Sequence, residues 1–223
     1  METQDEILLE DHKFIDTYPI KSTSKHLIIG TIHAPYNNNF LLDFFYGSSL
    51  SLWSLFHDAF PEIDLNPQNL DSILSFLDRN EISMTDTIKT CQRKKPGSAL
   101  DMDLIPKVFN EGMIDHIINS NILHLYFTSG FDKNSAFNLF YTGVLRHPYM
   151  KDWMKAKKEF SLEIDNKKTV TCHILISPSN TANRSIGRIE EYKANKELYM
   201  NSHYPPSYAY KIARYREIFA FLK

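Results

Sequence analysis

Polar groups that can perform acid–base chemistry follow the first strongly apolar run of the chain. His33 comes directly after the run 27–32, which is interrupted by Gly30. An imidazole at this point can donate a hydrogen bond to an oxygen or polarise a water molecule. The amide and carboxylate groups of the next loop that can orient water belong to Asn37, Asn38, Asn39 and Asp43. The alternative is that His33 is a hydrogen-bonded structural residue and that the asparagines serve turn geometry.

A second polar stretch, SPSNTANRS at 177–185, follows the last apolar run of the chain. Pro178 stiffens this stretch, and its short polar side chains suit phosphate oxygens beside a predicted helix N-terminus. The predicted phosphate contacts are Ser177, Ser179, Asn180, Asn183 and Arg184. The basic run Arg93, Lys94 and Lys95 is predicted to add a phosphate clamp, so that binding falls with salt. An N-capping turn and ordinary surface charge are the alternative interpretations.

The elements that must position these groups follow from apolar periodicity. We predict strands at 26–32, near 82–84 and at 122–127, a hairpin of 160–164 with 169–176, and helices at 49–59, 69–79, 107–119, 132–144, 188–200 and 207–222. Strands that alternate with helices predict an α/β fold with a central, mostly parallel sheet of about four strands and helices on both faces. The carboxyl ends of such strands form the ligand-binding edge of the sheet, where the polar stretches are expected to meet.

Composition narrows the class of protein further. The chain has 223 residues with 43% hydrophobic and 23% charged residues, which predicts one soluble domain spanning 1–223. Its net charge of -2 gives no general attraction to polyanions, so basic groups that bind them must be concentrated locally. The acidic start of the chain and the lack of a long apolar run predict a cytoplasmic protein without membrane contact. Cys91 and Cys172 are expected to be buried free thiols.

Three strand exits and one middle segment carry a resemblance to a known family. The exits read GTIHAP, TSGFDKN and SPSNTANRS, and FFYG at 44–47 is followed by SSLSLW. The matching positions of the middle and last segments are Asp86, Cys91, Arg93, Gly97, Ser98, Pro178, Ser179, Ala182 and Asn183. In this order the chain resembles the uracil-DNA glycosylase superfamily, and above all its bacterial and archaeal hypoxanthine or mismatch-type (G/T-U) DNA glycosylases. The resemblance implies a three-layer sandwich and a monofunctional enzyme that removes uracil or hypoxanthine from DNA without metal or cofactor. A monomer is expected.

The resemblance also assigns roles to residues. A base flipped out of the duplex must be stacked and hydrogen-bonded, while a water attacks the sugar. The predicted catalytic residues are His33, Asn39, Asp43 and Ser51, and the predicted base-binding residues are Thr31, Phe45, Tyr46, Thr128 and Ser129. Phe45 and Tyr46 have core packing as their alternative role. Asp86 is a further carboxylate candidate, with loop anchoring as its alternative.

The chain also departs from the family pattern. Ile32 stands where many members orient the water with Asp or Asn, Ser51 stands near the expected helix Asn, and Thr128 or Ser129 replaces the Asn that reads the base edge. These departures leave open a second interpretation, in which the protein binds nucleic acid or a nucleobase without cleaving it. A third interpretation is an unrelated α/β nucleotide-binding or hydrolase protein. It is disfavoured because the sequence lacks G-x-x-x-x-G-K-[ST], G-x-G-x-x-G and G-x-S-x-G motifs.

Overall fold

The computed structural model describes residues 9–35 and 40–222 and is α/β with two sheets. The strands are β1 (Glu10–Asp11), β2 (His26–Gly30), β3 (Ile82–Asp86), β4 (Ile88–Arg93), β5 (Leu104–Phe109), β6 (His124–Phe127), β7 (Glu159–Ile164) and β8 (Lys168–Ile174). The larger sheet has the order β3-β2-β6-β8-β7. Its first four strands are parallel, whereas β7 is antiparallel to β8, so the sheet is mixed. The predicted parallel core and the predicted hairpin are therefore confirmed.

Helices cover both faces of this sheet. They are α1 (Ser51–Ala59), α2 (Leu70–Arg79), α3 (Met113–Ile118), α4 (Ala136–Asn138), α5 (Asp152–Lys155), α6 (Asn183–Ile186), α7 (Glu190–Ala194), α8 (Lys196–Met200) and α9 (Pro206–Ile218), with a π-helical continuation of α4 at Leu139–Val144. The predicted helices at 132–144 and 188–200 are thus each divided into shorter pieces. None of the helices in the described part of the chain is long and apolar enough to cross a membrane.

The two faces of β2 explain why its sequence is continuously apolar. Ile28 packs with residues of α1, α2 and α9 in one hydrophobic cluster. Leu27 and Ile29 belong to a second cluster with residues of α3 and α4. All three side chains are fully buried, as expected for a parallel strand covered on both sides. Burial of each contributes about 1.5–3 kcal/mol, so β2 is fixed firmly and its exit with it.

The second sheet corrects the prediction for residues 86–119. A polar loop followed by a helix from 107 was expected, but β4 pairs antiparallel with both β1 and β5. Val108 lies on β5 and is exposed, and helix α3 begins only at Met113. The helical spacing of apolar residues predicted the structure correctly only around the buried residues Ile114 and Ile117. The segment before them is a strand because its backbone pairs with β4. Cys91 on β4 and Cys172 on β8 are buried free thiols, as predicted.

Candidate functional site

A cleft of about 620 Å³ lies beyond the carboxyl ends of the parallel strands. We call it the strand-exit cleft. Its lining comes from the exits of four strands: Thr31, Ile32 and His33 after β2, Asp86 at the end of β3, Thr128 and Ser129 after β6, and Ser177, Ser179 and Thr181 after β8. The predicted meeting of distant polar stretches is therefore seen in the structure. The volume falls within the range of about 300–1,000 Å³ that is usual for small-molecule sites.

Asp86 is the carboxylate at the centre of this arrangement, and His12 holds it in place. Nε2 of His12 lies 2.7 Å from Oδ2 of Asp86. Nδ1 of His12 accepts hydrogen bonds from the backbone N–H groups of Phe14 and Ile15 at 3.0 and 3.2 Å. Because an accepting Nδ1 carries no proton, Nε2 carries it and donates to Asp86. The orientation of the Asp86 carboxylate is thereby fixed.

Gly30 and Tyr46 border the other oxygen of Asp86. A methyl group built on Gly30 would lie 2.2 Å from Oδ1 of Asp86 and 3.4 Å from the Tyr46 hydroxyl oxygen. The strand end therefore needs a residue without a side chain at this point. Burial and, secondarily, the Asp86 carboxylate raise the pKa of Tyr46 well above its usual value. The Tyr46 hydroxyl consequently remains neutral.

A second carboxylate, that of Asp101, faces the same cleft from the segment between β4 and β5. The hydroxyl of Thr31 donates a hydrogen bond of 3.0 Å to Oδ1 of Asp101, and the side-chain amide of Asn134 donates to its backbone carbonyl at 2.9 Å. Burial raises the pKa of Asp101 to about 6, although the Thr31 hydrogen bond lowers it. The cleft therefore combines two carboxyl groups in different environments, a pattern typical of acid–base sites.

Arg93 was predicted to contact DNA, but the structure gives its guanidinium a different use. The side chain is buried, with Nε donating to Glu10 at 3.0 Å, Nη1 to the carbonyl of Ser98 at 2.7 Å and Nη2 to the carbonyl of His33 at 2.9 Å. It joins β1, the exit of β2 and the loop after β4. Arg93 thus borders the cleft as a structural clamp. The protein oxygens accept from the same guanidinium N–H groups that a phosphate would need.

His33 lines the cleft, yet its ring nitrogens face backbone carbonyls. Nδ1 lies 2.6 Å from the carbonyl oxygen of Ala34, and Nε2 lies 3.2 Å from that of Asp11. Burial lowers the pKa of His33, which favours a neutral imidazole. Its ring also packs edge-on against His12 at a centroid distance of 4.9 Å. This geometry resembles the structural alternative stated for His33 more than the predicted catalytic role, in which it donates a hydrogen bond or polarises a water molecule.

The rim of the cleft is rich in hydroxyl groups. Ser48, Ser49 and Ser51 lie there at the N-terminus of α1, whose N-cap residue Leu50 provides no side-chain hydrogen bond. On the opposite side, the Ser179 hydroxyl lies 2.7 Å from that of Thr181. Uncapped N–H groups of a helix and short hydroxyl groups are suitable donors for an anion.

The loop that carries Ser179 is fastened from below by a buried lysine. Nζ of Lys211, on α9, donates to the backbone carbonyl of Ser179 at 2.7 Å. The side chain is fully buried, and burial lowers the pKa of Lys211 to about 8. Deprotonation is therefore expected slightly above neutral pH, where the amine can still donate one of its hydrogens. Lys211 thus holds the backbone of the Ser179 loop in position, but its side chain does not line the cleft.

Not every predicted site residue reaches the cleft. Thr31, His33, Tyr46, Ser51, Arg93, Thr128, Ser129, Ser177 and Ser179 line it. Phe45 is buried in the hydrophobic core instead, and Asp43 is exposed elsewhere on the loop. Asn180, Asn183 and Arg184 lie beyond the lining, on the short helical turns that follow Ser179. Asn39, with Asn37 and Asn38, lies outside the described residues. The roles of these residues stay predictions.

Sequence reasoning did not identify His12 and Asp101 as site residues. His12 belongs to the lead-in before the first predicted strand, and Asp101 belongs to a segment without clear periodicity. Asp101 reaches the cleft, and His12 reaches Asp86, only through the second sheet, which brings β1 and the β4–β5 connection alongside the strand exits. In the described part of the chain, no group of three or more His, Cys, Asp or Glu side chains is arranged to hold a metal ion.

Comparison with protein-family models gives no match to the chain. Comparison with curated proteins likewise gives no significant similarity. The strand-exit cleft and its chemistry are therefore the basis for the function.

Proposed function

We propose that the protein is a monofunctional DNA glycosylase that hydrolyses the N-glycosidic bond of a deaminated or mismatched base, uracil or hypoxanthine. With this we propose that its fold is the three-layer arrangement of the uracil-DNA glycosylase superfamily. The observation that carries the proposal is the convergence of four strand exits on one cleft around the oriented carboxylate of Asp86.

The first requirement is a place for an extruded base. The strand-exit cleft offers a volume of about 620 Å³ beside Tyr46, with hydroxyl groups from Thr31 and Thr128. Their oxygens can accept hydrogen bonds from the edge of a base while the hydrogens are donated to Asp101 and to the carbonyl of Ile29. They supply the hydrogen-bonding capacity that the family obtains from an amide at the Thr128 position. Flipping a base costs a few kcal/mol, which these contacts and stacking must offset.

The second requirement is a group that positions and deprotonates water. Ile32, which occupies the usual position of this group, packs against a hydrophobic cluster formed by Ile88, Cys91, Leu104 and Leu139. Asp86 is the best-placed substitute because His12 occupies its Oδ2 while Oδ1 lies beside Gly30 at the cleft. A carboxylate here can also stabilise the positive charge that develops on the sugar as the base departs.

The third requirement is contact with the DNA backbone. We propose that the hydroxyl groups of Ser49, Ser51, Ser177 and Ser179, together with the N-terminus of α1, bind the phosphates that flank the flipped nucleotide. These are neutral donors, so they do not add positive charge near Asp86 and Asp101. We expect the electrostatic attraction to DNA to be modest and the salt dependence of binding to be shallow.

The proposal is tested by incubating the protein with single- and double-stranded oligonucleotides that contain uracil, hypoxanthine or a T·G mismatch. Abasic sites are then converted to strand breaks with alkali and resolved on gels. We expect breaks at the modified position in at least one of these substrates. Binding without breaks would contradict the enzymatic function and favour the nucleobase-binding alternative, and lack of both at low salt would contradict both functions.

A matched control separates the protein's own activity from a contaminant. Asp86→Asn keeps the size of the side chain and an oxygen that can accept from His12, but it removes the negative charge. Asp115→Asn makes the same chemical change at an exposed position of α3. We expect the first variant to lose excision and the second to retain it.

A further inference from the structure

The environment of Asp101 points to a second chemical role in the cleft, and this inference rests on the proposed glycosylase function. Asp101 lines the cleft together with Asp86 but has a different set of neighbours. Thr31, on the exit of β2, donates to its Oδ1 at 3.0 Å. Among the ion pairs formed within residues 9–35 and 40–222, none includes Asp101, because the nearby Arg93 pairs with Glu10. A carboxyl group that is largely shielded from water and has no ion-pair partner is the kind that retains its proton.

Each element around Asp101 contributes a group that affects its protonation. The negative charge of Asp86, at the end of β3, raises the pKa of Asp101, whereas Arg93 on β4 and the Thr31 hydroxyl lower it. Tyr46 also interacts electrostatically with Asp101 but remains neutral because of its own burial. Burial is the largest effect, and the resulting pKa of Asp101 is about 6. Asp101 is thus mostly ionised at pH 7, with a minority of molecules protonated, and mostly protonated at pH 5.

We propose that Asp101 is the general acid that donates a proton to the departing base. Asp86 accepts a proton from water, the water oxygen forms a bond to C1′ of the sugar, and the C1′–N bond breaks with its electron pair moving to the base. The proton of Asp101 neutralises the negative charge on a ring nitrogen or exocyclic oxygen of that base. Asp86 ends protonated and Asp101 ionised, and exchange with solvent restores both groups.

This assignment explains why the cleft holds two carboxyl groups. Two ionised carboxylates would repel each other and would also repel an anionic leaving group. With one ionised and one protonated, the site is negative where the sugar becomes positive and a proton donor where the base becomes negative. The hydrogen bond from Thr31 orients Asp101, so that Thr31 is a positioning residue for the acid.

The test is the pH dependence of single-turnover excision by the wild-type protein and Asp101→Asn, with Asp115→Asn as the exposed control. The ratio of wild-type to Asp101→Asn rates removes the effect of other titrating groups. We expect this ratio to be about 10²-fold at pH 5.5 and to fall by about tenfold per pH unit above 6. The Asp115→Asn variant should follow the wild-type profile. A ratio that is constant from pH 5.5 to 8 would overturn the proposal.

Two further measurements distinguish an acid from a structural residue. Thr31→Val removes the hydrogen bond that lowers the pKa of Asp101, so the midpoint of the profile should move to higher pH. A midpoint that does not move would count against the assignment. Secondly, 5-fluorouracil leaves as a more stable anion than uracil and needs less protonation, so Asp101→Asn should excise it at a rate close to that of the wild type.

The fluorinated substrate also distinguishes failure of the Asp101 role from failure of the glycosylase function. Excision of 5-fluorouracil with a flat pH ratio for uracil would overturn the role of Asp101 and leave the glycosylase function intact. No excision of any base, including 5-fluorouracil, would overturn the glycosylase function and this inference with it. Circular dichroism melting curves of each variant establish that a loss of rate does not come from unfolding.

Discussion

At the scale of single residues, the candidate site depends on how Asp86 is held. Its Oδ2 accepts from His12, and His12 is itself oriented by the backbone N–H groups of Phe14 and Ile15. Both side chains are buried, so the contact is not weakened by competing solvent. Such a chain of hydrogen bonds prepares a carboxylate for one task before the substrate arrives, which lowers the reorganisation needed during the reaction.

The residue-scale prediction concerns Asp86→Asn. Loss of a general base usually reduces rate by about 10²–10⁴-fold, and we expect a reduction of this size in single-turnover excision. Because the amide oxygen can still accept from His12, DNA binding measured by fluorescence anisotropy should change much less. A variant that retains the wild-type excision rate would show that Asp86 serves only as a loop anchor.

Sequence reasoning reached some of these residues and not others for a physical reason. Phe45 and Tyr46 are adjacent in sequence, and either aromatic ring could stack on a base. In the structure Phe45 packs in the core, whereas Tyr46 faces the cleft. That difference depends on the backbone of the loop, where Tyr46 has a φ of 59°. Asp101 could not be found because no motif marks a residue whose role comes from burial and from a hydrogen bond with distant Thr31.

At the scale of elements, the exit of β2 is where two neighbouring strands pack most closely against the Asp86 carboxylate. Gly30 ends the strand beside Asp86, and its backbone carbonyl accepts from the N–H of Thr87 at 3.1 Å. The two neighbouring strands therefore end in register, with Gly30 paired to Asp86. This close approach leaves no room for a β-carbon and holds the carboxylate against the backbone of the next strand.

The element-scale prediction is that Gly30→Ala impairs both stability and excision. The added methyl group would lie 2.2 Å from Oδ1 of Asp86, so the carboxylate or the strand must shift. Overpacking of this kind costs about 1–3 kcal/mol of unfolding free energy, measured by chemical denaturation. Excision should fall further than the remaining folded fraction explains, because Asp86 is displaced in the molecules that do fold.

Gly187→Ala is the matched control for this substitution. Gly187 follows α6 with a φ of −58°, and a β-carbon there would meet no atom within 4 Å. Its unfolding free energy should equal or slightly exceed that of the wild type, since alanine restricts the unfolded chain. Equal stability and activity of the two alanine variants would refute the close packing proposed around Gly30.

The elements differ in how well the sequence predicted them. Continuously apolar runs such as 27–29 predicted the buried parallel strands, because burial on both faces leaves a clear pattern. The second sheet was missed because its strands are half exposed, and Val108 on β5 belongs to no buried cluster. That sheet contains β1, and the connection between its strands β4 and β5 carries Asp101. Because the sheet was not predicted, the predicted site lacked His12 and Asp101.

At the scale of the whole molecule, the parallel sheet carries a row of histidines away from the cleft. His26, His124 and His173 lie on adjacent strands, and His26 stacks on Phe221 with a centroid distance of 3.8 Å. Burial lowers the pKa of His26 to about 4 and lowers the pKa of His173 as well. Protonation of His26 and of His173 therefore opposes the folded state.

The whole-molecule prediction is a loss of stability in mild acid. The unfolded chain takes up protons on His26 and His173 as pH falls through about 6.5, whereas the folded protein resists protonation of His26 until about pH 4. The unfolding free energy should thus decrease from pH 7 to pH 5. The raised pKa of Asp101 acts in the opposite direction below pH 6, so the comparison with a variant isolates the histidine effect.

His26→Phe is that variant, because a phenyl ring can maintain the stack on Phe221 but cannot be protonated. We expect its unfolding free energy to depend less on pH between 7 and 5 than that of the wild type, as measured by urea denaturation at each pH. An unchanged pH dependence would show that His26 is not among the groups that destabilise the folded protein in acid.

The most direct test of the glycosylase function is to detect the released base itself. Uracil- and hypoxanthine-containing DNA are incubated with the wild-type protein and with Asp86→Asn, and the small-molecule fraction is analysed by mass spectrometry. We predict free base from at least one substrate, in a one-to-one ratio with abasic sites, and little or none from the variant. Intact oligonucleotide and no free base, under conditions where the folded protein binds that DNA, would contradict the account.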